Sequence, residues 1–224
     1  MKLSRLFLNP MHREVRRCMA DVQSLHTRIS SGFDHGDRAF GDERVLFRPE
    51  FGEARCALLV QSPEPPDWTR LPAGFLLQLE GVENPETREL TKLWSALKEG
   101  QHLLFRLRAN VTRKIETKTL PGEARRHGRR VPLRGDEARL QWLTRKGDQH
   151  GFQIPAMRND VPAAVVKEVA TIYGSRKRRR VTLEGTTFEG MLRVADVRKL
   201  RVALERGIGP AKAYGFGMLS VALA

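Results

Sequence analysis

The sequence predicts an α+β protein built from two tandem ferredoxin-like (RRM-like) βαββαβ domains. Three observations predict it. Segments with strand and helix character run strand, helix, strand, strand, short element, strand, and then do so a second time. A length of 224 residues allows one large domain or two small ones. The charge also changes character near residue 100: residues 1–100 hold 14 Lys/Arg and 15 Asp/Glu, whereas 101–224 hold 26 and 11. The expected division is therefore 1–100 and a basic 101–224.

The elements follow in order. Leu3–Leu8 reads as a strand ended by Asn9-Pro10, where a capping Asn and a first-turn Pro predict a helix start. Met11, Val15, Cys18 and Met19 keep helical spacing, Asp21 acts as a second cap or a kink, and Val22, Leu25, Ile29 and Phe33 continue it. Val45–Phe47, Arg55–Gln61 and Gly74–Leu79 read as strands, with the Pro-rich stretch after Ser62 as a loop and the second helix reduced. Glu86–Lys98 reads as a helix leading to Gly100. Leu103–Val111 alternates apolar and polar residues as a half-buried strand does. A basic loop precedes a helix from Asp136 carrying Leu140 and Leu143, and Gly151–Ile154 is the next strand. Val181–Val194 reads as a hairpin turning near Gly185. Asp196 caps a helix through Leu204, and Tyr214–Leu223 closes as a strand.

Composition excludes several classes. Apolar residues at 40% and charged residues at 29% exclude a wholly disordered chain. No apolar run approaches the roughly 20 residues of a membrane helix. Arg5 and Pro10 interrupt the opening as a signal segment. Two cysteines, Cys18 and Cys56, make neither a disulfide framework nor a four-thiolate zinc site. A cytoplasmic protein is expected. Its net charge of +14 and pI of about 10.6 call for a polyanionic partner, nucleic acid before a membrane surface.

Three features carry the chemistry. In Gly207-Ile208-Gly209-Pro210-Ala211-Lys212-Ala213-Tyr214-Gly215-Phe216-Gly217, four glycines bracket one lysine before a strand. That placement fits neither a Rossmann loop nor a P-loop. Positive φ and a close backbone approach are available there, so exposed N–H groups with Lys212 predict phosphate or RNA-backbone contact by Gly207, Gly209, Gly215 and Gly217. The second feature is charge. Arg113, Lys114, Lys118, Arg125, Arg126, Arg129, Arg130 and Arg134 face only Glu116 and Glu123, with Gly122 and Gly128 arguing for a mobile loop. Arg176-Lys177-Arg178-Arg179-Arg180 is a second basic run, and Arg158 is counted with it. Either run alone is a solvated face; two in one half favour RNA held by shape and phosphate, since no RNP1-like aromatic segment occurs. If about six phosphates are neutralised, log K falls with log salt at a slope near −4 to −5.

The third feature is His26. At about 100° per residue from Val22, the apolar positions span about 300° to 20°, and His26 falls at about 40°, on the edge of that face. An imidazole there is partly desolvated and titrates near neutrality. On the residues alone, a helix-flanking histidine with a backbone or water partner is the simpler reading. The six histidines form no HxxxH or HExxH spacing, and His35 with Asp37 reads as solvated. Neither metal nor cofactor is expected.

A glycine-rich GxGxxxxxGxG segment closing a second ferredoxin-like unit resembles the RAMP superfamily. The opening Leu3-Ser4-Arg5-Leu6-Phe7-Leu8-Asn9-Pro10, with Arg13-Glu14-Val15-Arg16-Arg17, Leu25-His26, Phe105–Asn110, Trp142-Leu143 and Gly151-Phe152, is similar to the CasE family. The resemblance spans nearly the whole chain. It implies a metal-independent endoribonuclease that binds the stem-loop of CRISPR repeat RNA, cuts at its 3′ base and keeps its product, the crRNA, within Cascade among other subunits. It further implies that His26 is the catalytic residue. The family often carries a tyrosine three residues before that histidine, where this chain has Gln23. His26 is then expected to work with Arg28, Ser30 or Lys212, or slowly. The alternative reading is a non-catalytic RNA-binding scaffold; a DNA-binding protein ranks last, for want of a base-reading helix.

Overall fold

The computed structural model describes residues 1–34, 44–51, 56–115, 129–176 and 179–224, without the side chains of Arg158, Arg176 and Arg179. The expectations for Arg125, Arg126, Lys177, Arg178, Lys118, Gly122, Gly128, His35 and Asp37 lie outside the described residues.

Two antiparallel four-stranded paths share one strand order. In the first, β4 (Glu86–Glu89), β1 (Lys2–Phe7), β3 (Cys56–Ser62) and β2 (Leu46–Phe51) lie side by side. In the second, β11 (Leu219–Leu223), β5 (His102–Ala109), β10 (Arg179–Val194) and β8 (Phe152–Gln153) do the same. Fourth, first, third, second is the order that a βαββαβ chain gives when each crossover packs on one face of its sheet. The first crossover of the first unit is α1 (Arg13–Ala20) and α2 (Val22–Ser30); its second contains only a 3-10 turn, Trp68–Arg70. In the second unit α4 (Asp136–His150) and α5 (Val197–Arg206) fill both. A short α3 (Thr91–Ser95) lies between the sheets in sequence. The ribbon of β6 (Thr112–Ile115) and β7 (Arg129–Pro132) and the long β9 (Ala164–Arg176), paired along β10, are additions.

Each sheet has its own core. Leu6, Leu8, Val15, Leu25, Ile29 and Phe47 pack in the first; Leu107, Trp142, Phe188, Leu192 and Leu200 pack in the second, which also takes Trp94 and Leu97. β5 alternates buried and more exposed positions from Leu103 onward, as its sequence pattern requires. A small third cluster of Val22, Ile172 and Phe216 joins α2, β9 and the segment before β11.

Several sequence expectations are corrected. β4 is Glu86–Glu89 rather than Gly74–Leu79, because Arg5 pairs with Glu86, and Lys2 with Glu89, across β1. Gly74–Leu79 instead buries Phe75 and makes a single bridge, Leu8 to Leu76. The helix predicted over Glu86–Lys98 accordingly shrinks to α3. α1 starts at Arg13, not at Asn9-Pro10: the Asn9 Oδ1 accepts the Met11 N–H at 3.0 Å and closes a local turn, and the His12 Nδ1 caps the helix. Gly185 is no turn but mid-strand, opposite Ala170; a Cβ there would stand 2.7 Å from the Phe216 ring. The closing strand begins at Leu219 because Lys212–Tyr214 forms a 3-10 turn.

Candidate nucleic-acid interface

Asp21 sets the first wall of the site. Its carboxylate caps α2 by accepting the N–H groups of Gln23 at 3.3 Å and Ser24 at 3.1 Å, the reach-back that Asp favours at this position. The cap fixes the rotation of α2, so Val22, Leu25 and Ile29 are buried and the half-buried His26 sits on the edge of that face. The imidazole stacks against the buried Phe47 of β2 with ring centroids 6.2 Å apart and planes at 24°. Ser30, one turn on, donates its hydroxyl to the His26 carbonyl at 2.9 Å. Arg28 lies about 200° around the helix from His26 and pairs with Glu14 of α1. The fold thus keeps Ser30 with His26 and turns Arg28 away; Gln23, on the flank between, lines a cavity toward α1.

The glycine-rich segment meets α2 and β2 through its 3-10 turn. All four glycines have positive φ, from +72° at Gly207 to +87° at Gly217. Space is as restrictive as φ. A Cβ at Gly207 would press on Leu46, at Gly209 on Trp142, at Gly215 on Pro49 and Phe47, and at Gly217 on the Ile208 backbone. The N–H groups of Gly207, Gly215 and Gly217 donate to the carbonyls of Ala203, Lys212 and Arg108. Those three donors are already used inside the protein. The segment therefore seals the two sheets together, and Lys212 is what it presents.

Lys212 stands in a cationic group. Burial, followed by Arg44 and Lys146, holds its ammonium below the usual lysine range. Burial, followed by Lys146 and Lys212, likewise lowers the His150 imidazole. Lys146 lies over the Trp142 ring, 5.9 Å from its centroid, and is itself lowered by burial and by Arg130 and Arg145. Among the described residues no carboxylate enters any of these shifts. Like charges gathered in a half-buried place favour an anionic ligand. Arg44, Lys146 and His150 escaped the sequence reading, although Lys146 and His150 are one helical turn apart and so share a face.

Two basic ribbons flank this group. Arg113 and Lys114 on β6 pair with Val131 and Arg130 on β7, and Arg129 completes the ribbon; all four basic side chains are exposed. In the β9–β10 hairpin, Arg176 stands opposite Arg179, and Arg180 lies over the Tyr173 ring at 4.4 Å. The hairpin base is tied to α2, since Ser175 donates its N–H to the Asp21 Oδ1 at 3.0 Å. Arg158 lies in the 3-10 turn Arg158–Asp160, ahead of β9. Among the described residues no three His, Cys, Asp or Glu side chains converge as a metal site, and no helix is long and apolar enough to cross a membrane.

Two ferredoxin-like sheets, a histidine at their junction and basic ribbons on one of them define a protein of the RAMP type. The chain belongs to the CRISPR associated protein family, whose model matches residues 1–222. It is 31% identical to the CRISPR-associated endoribonuclease Cse3 of Thermus thermophilus, over 99% of this chain and all of the relative. A structure of Thermus thermophilus Cse3 bound to an RNA representing a pre-cleavage complex superposes with a TM-score of 0.78 at 33% identity, covering 99% of this chain and 98% of that one. The crystal structure of Cas6e from Escherichia coli K-12 aligns over the whole of both chains, with a TM-score of 0.66 and 26% identity.

Proposed function

We propose that this protein is the endoribonuclease that matures CRISPR RNA: it binds the stem-loop of the repeat, cuts at the 3′ base of the stem and holds the crRNA in the cytoplasm together with other Cascade subunits. In this reading the unit 1–100 supplies His26 and the basic unit 101–224 grips the RNA. The observation that carries it is the position of His26, at the junction where α2 and β2 meet the turn bearing Lys212.

The chemistry follows from that placement. The ribose 2′-oxygen attacks the adjacent phosphorus, a new 2′-O–P bond forms and the P–O5′ bond breaks. The products are a 2′,3′-cyclic phosphate and a 5′-hydroxyl, so no water or metal is needed for the cut. His26 takes the 2′-hydroxyl proton or gives one to the leaving 5′-oxygen. In this reading Lys212, on the turn that meets α2, stabilises charge that develops on the phosphoryl oxygens. Gln23 offers an amide donor but no acid, which lowers the expected rate and suits an enzyme that retains its product. The basic ribbons follow the two backbones of an A-form stem, whose deep major groove limits direct base reading.

The test uses repeat RNA in EDTA with wild type and His26→Ala. The wild type is expected to cut at the 3′ side of the stem and leave a cyclic phosphate. The variant should lose at least about 100-fold in rate, the scale of one acid–base group, with its affinity intact. Tight binding with no cleavage by either protein would instead establish the scaffold reading, which Gln23 favours.

A further inference from the structure

Between α1 and α2, on the flank turned away from Phe47, lies an open cavity of about 480 Å³ completed by Ser175 of β9. Its charges do not balance. Glu14 is committed to Arg28. Asp21 uses both carboxylate oxygens: Oδ1 accepts from Gln23 and Ser175, and Oδ2 accepts the Ser24 N–H at 3.1 Å and its hydroxyl at 2.6 Å. Arg13 and Arg17 line the same cavity, so that with Arg28 three guanidiniums stand against two carboxylates. Both are exposed, and neither has a side-chain hydrogen bond or ion pair among the described residues. Four residues apart on one helix, their Cβ atoms lie about 5–6 Å from one another, so the two guanidiniums open onto one place.

We infer that this cavity is a separate RNA-backbone site, in which Arg13 and Arg17 hold phosphodiester oxygens of the strand that passes His26. The inference rests on the RNA-processing reading above. Guanidinium forks match phosphate geometry in a way that solvated lysines do not. The cavity is continuous with sequence that already faces RNA in that reading, since Ser175 leads directly into the run Arg176–Arg180. Gln23 joins it to the catalytic helix one turn before His26. A strand lying across α2 would place its reacting phosphate against His26 and a neighbouring phosphate here.

The test measures repeat-RNA affinity across about 50–200 mM salt in the His26→Ala background, which keeps the RNA intact. Arg13→Ala with Arg17→Ala is expected to raise Kd about tenfold and to flatten the log–log salt slope by about 1.4–1.8, the share of two phosphates. Arg13→Lys with Arg17→Lys should recover the slope and only part of the affinity, and it carries the test if the alanine pair proves less stable. A neutral methylphosphonate walked along the RNA should weaken binding at one or two positions, and those positions should become silent in the alanine pair. An unchanged Kd and slope would overturn the site, as would a methylphosphonate effect that the alanine pair leaves in place. No salt-dependent binding by the His26→Ala parent and wild type overturns the RNA reading itself, and that failure is visible before any arginine is changed.

Discussion

At the scale of single residues, His150 shows how the ligand-seeking character of the site is paid for in stability. It is the last residue of α4, where the helix dipole favours the imidazolium by about 0.3–1 kcal/mol. Burial and the nearby Lys146 and Lys212 act the other way and prevail, since the folded protein holds its pKa below the ordinary 6.5. The unfolded chain then takes the proton first as pH falls. Stability is full above about 6.5 and declines through the window down to the folded value. His150→Asn is expected to show a shallower acid-side decline than wild type in urea unfolding at a series of pH values. Parallel profiles would mean that His150 is not the titrating group. Lys212 is a better candidate for phosphate contact than Gly207, Gly215 and Gly217, whose N–H groups are already engaged inside the protein.

At the scale of elements, α2 and the β9–β10 hairpin behave as one mechanical part, because a single carboxylate serves both. Asp21 caps α2 and holds the Ser175 N–H. Asp21→Ala removes the cap, at a cost of about 1–2 kcal/mol, and frees the hairpin base at the same stroke. For a chain of this size the melting temperature should fall by about 2–8 °C. Amide exchange should speed up at Gln23, Ser24 and Ser175 together. Unchanged exchange at Ser175 would show that the hairpin does not depend on the cap. The element scale is also where charge misleads. Glu86-Thr87-Arg88-Glu89 has the look of a solvated helix, yet its acids select an edge strand by pairing with Lys2 and Arg5.

At the scale of the whole molecule, polar contacts stitch the two sheets together. Gln61 of β3 donates to the Leu204 carbonyl at 2.7 Å. Arg48, only 4% exposed, donates to the Ser220 Oγ at 2.8 Å and to Glu50 at 2.8–3.0 Å; Glu50 also receives Arg106 at 3.0 Å. Removing one partner of a buried pair is costly because the other charge is left in a poor solvent. Glu50 keeps about a third of its exposure, so Glu50→Ala should cost about 2 kcal/mol, below the usual range for fully buried pairs. Adding Arg48→Met should restore part of that loss in a thermal melt. A double variant no more stable than the single would refute the buried-charge account.

The sequence alone determined the class of fold, the capping of α2 and α5 by Asp21 and Asp196, the alternation in β5 and the basic second half. Those features are legible because periodicity, capping and net charge are properties of residues close in the chain. Tertiary structure alone decided what stands beside what. It placed Lys146 and His150 with Lys212, turned Arg28 to Glu14, put Gly185 under Phe216 and engaged the N–H groups of three glycines in packing. It also left Arg13 and Arg17 without an ion pair among the described residues. Such outcomes depend on contacts between residues far apart in the chain, where burial removes water's screening and a neighbour more than a hundred residues away sets the charge and the space at each position.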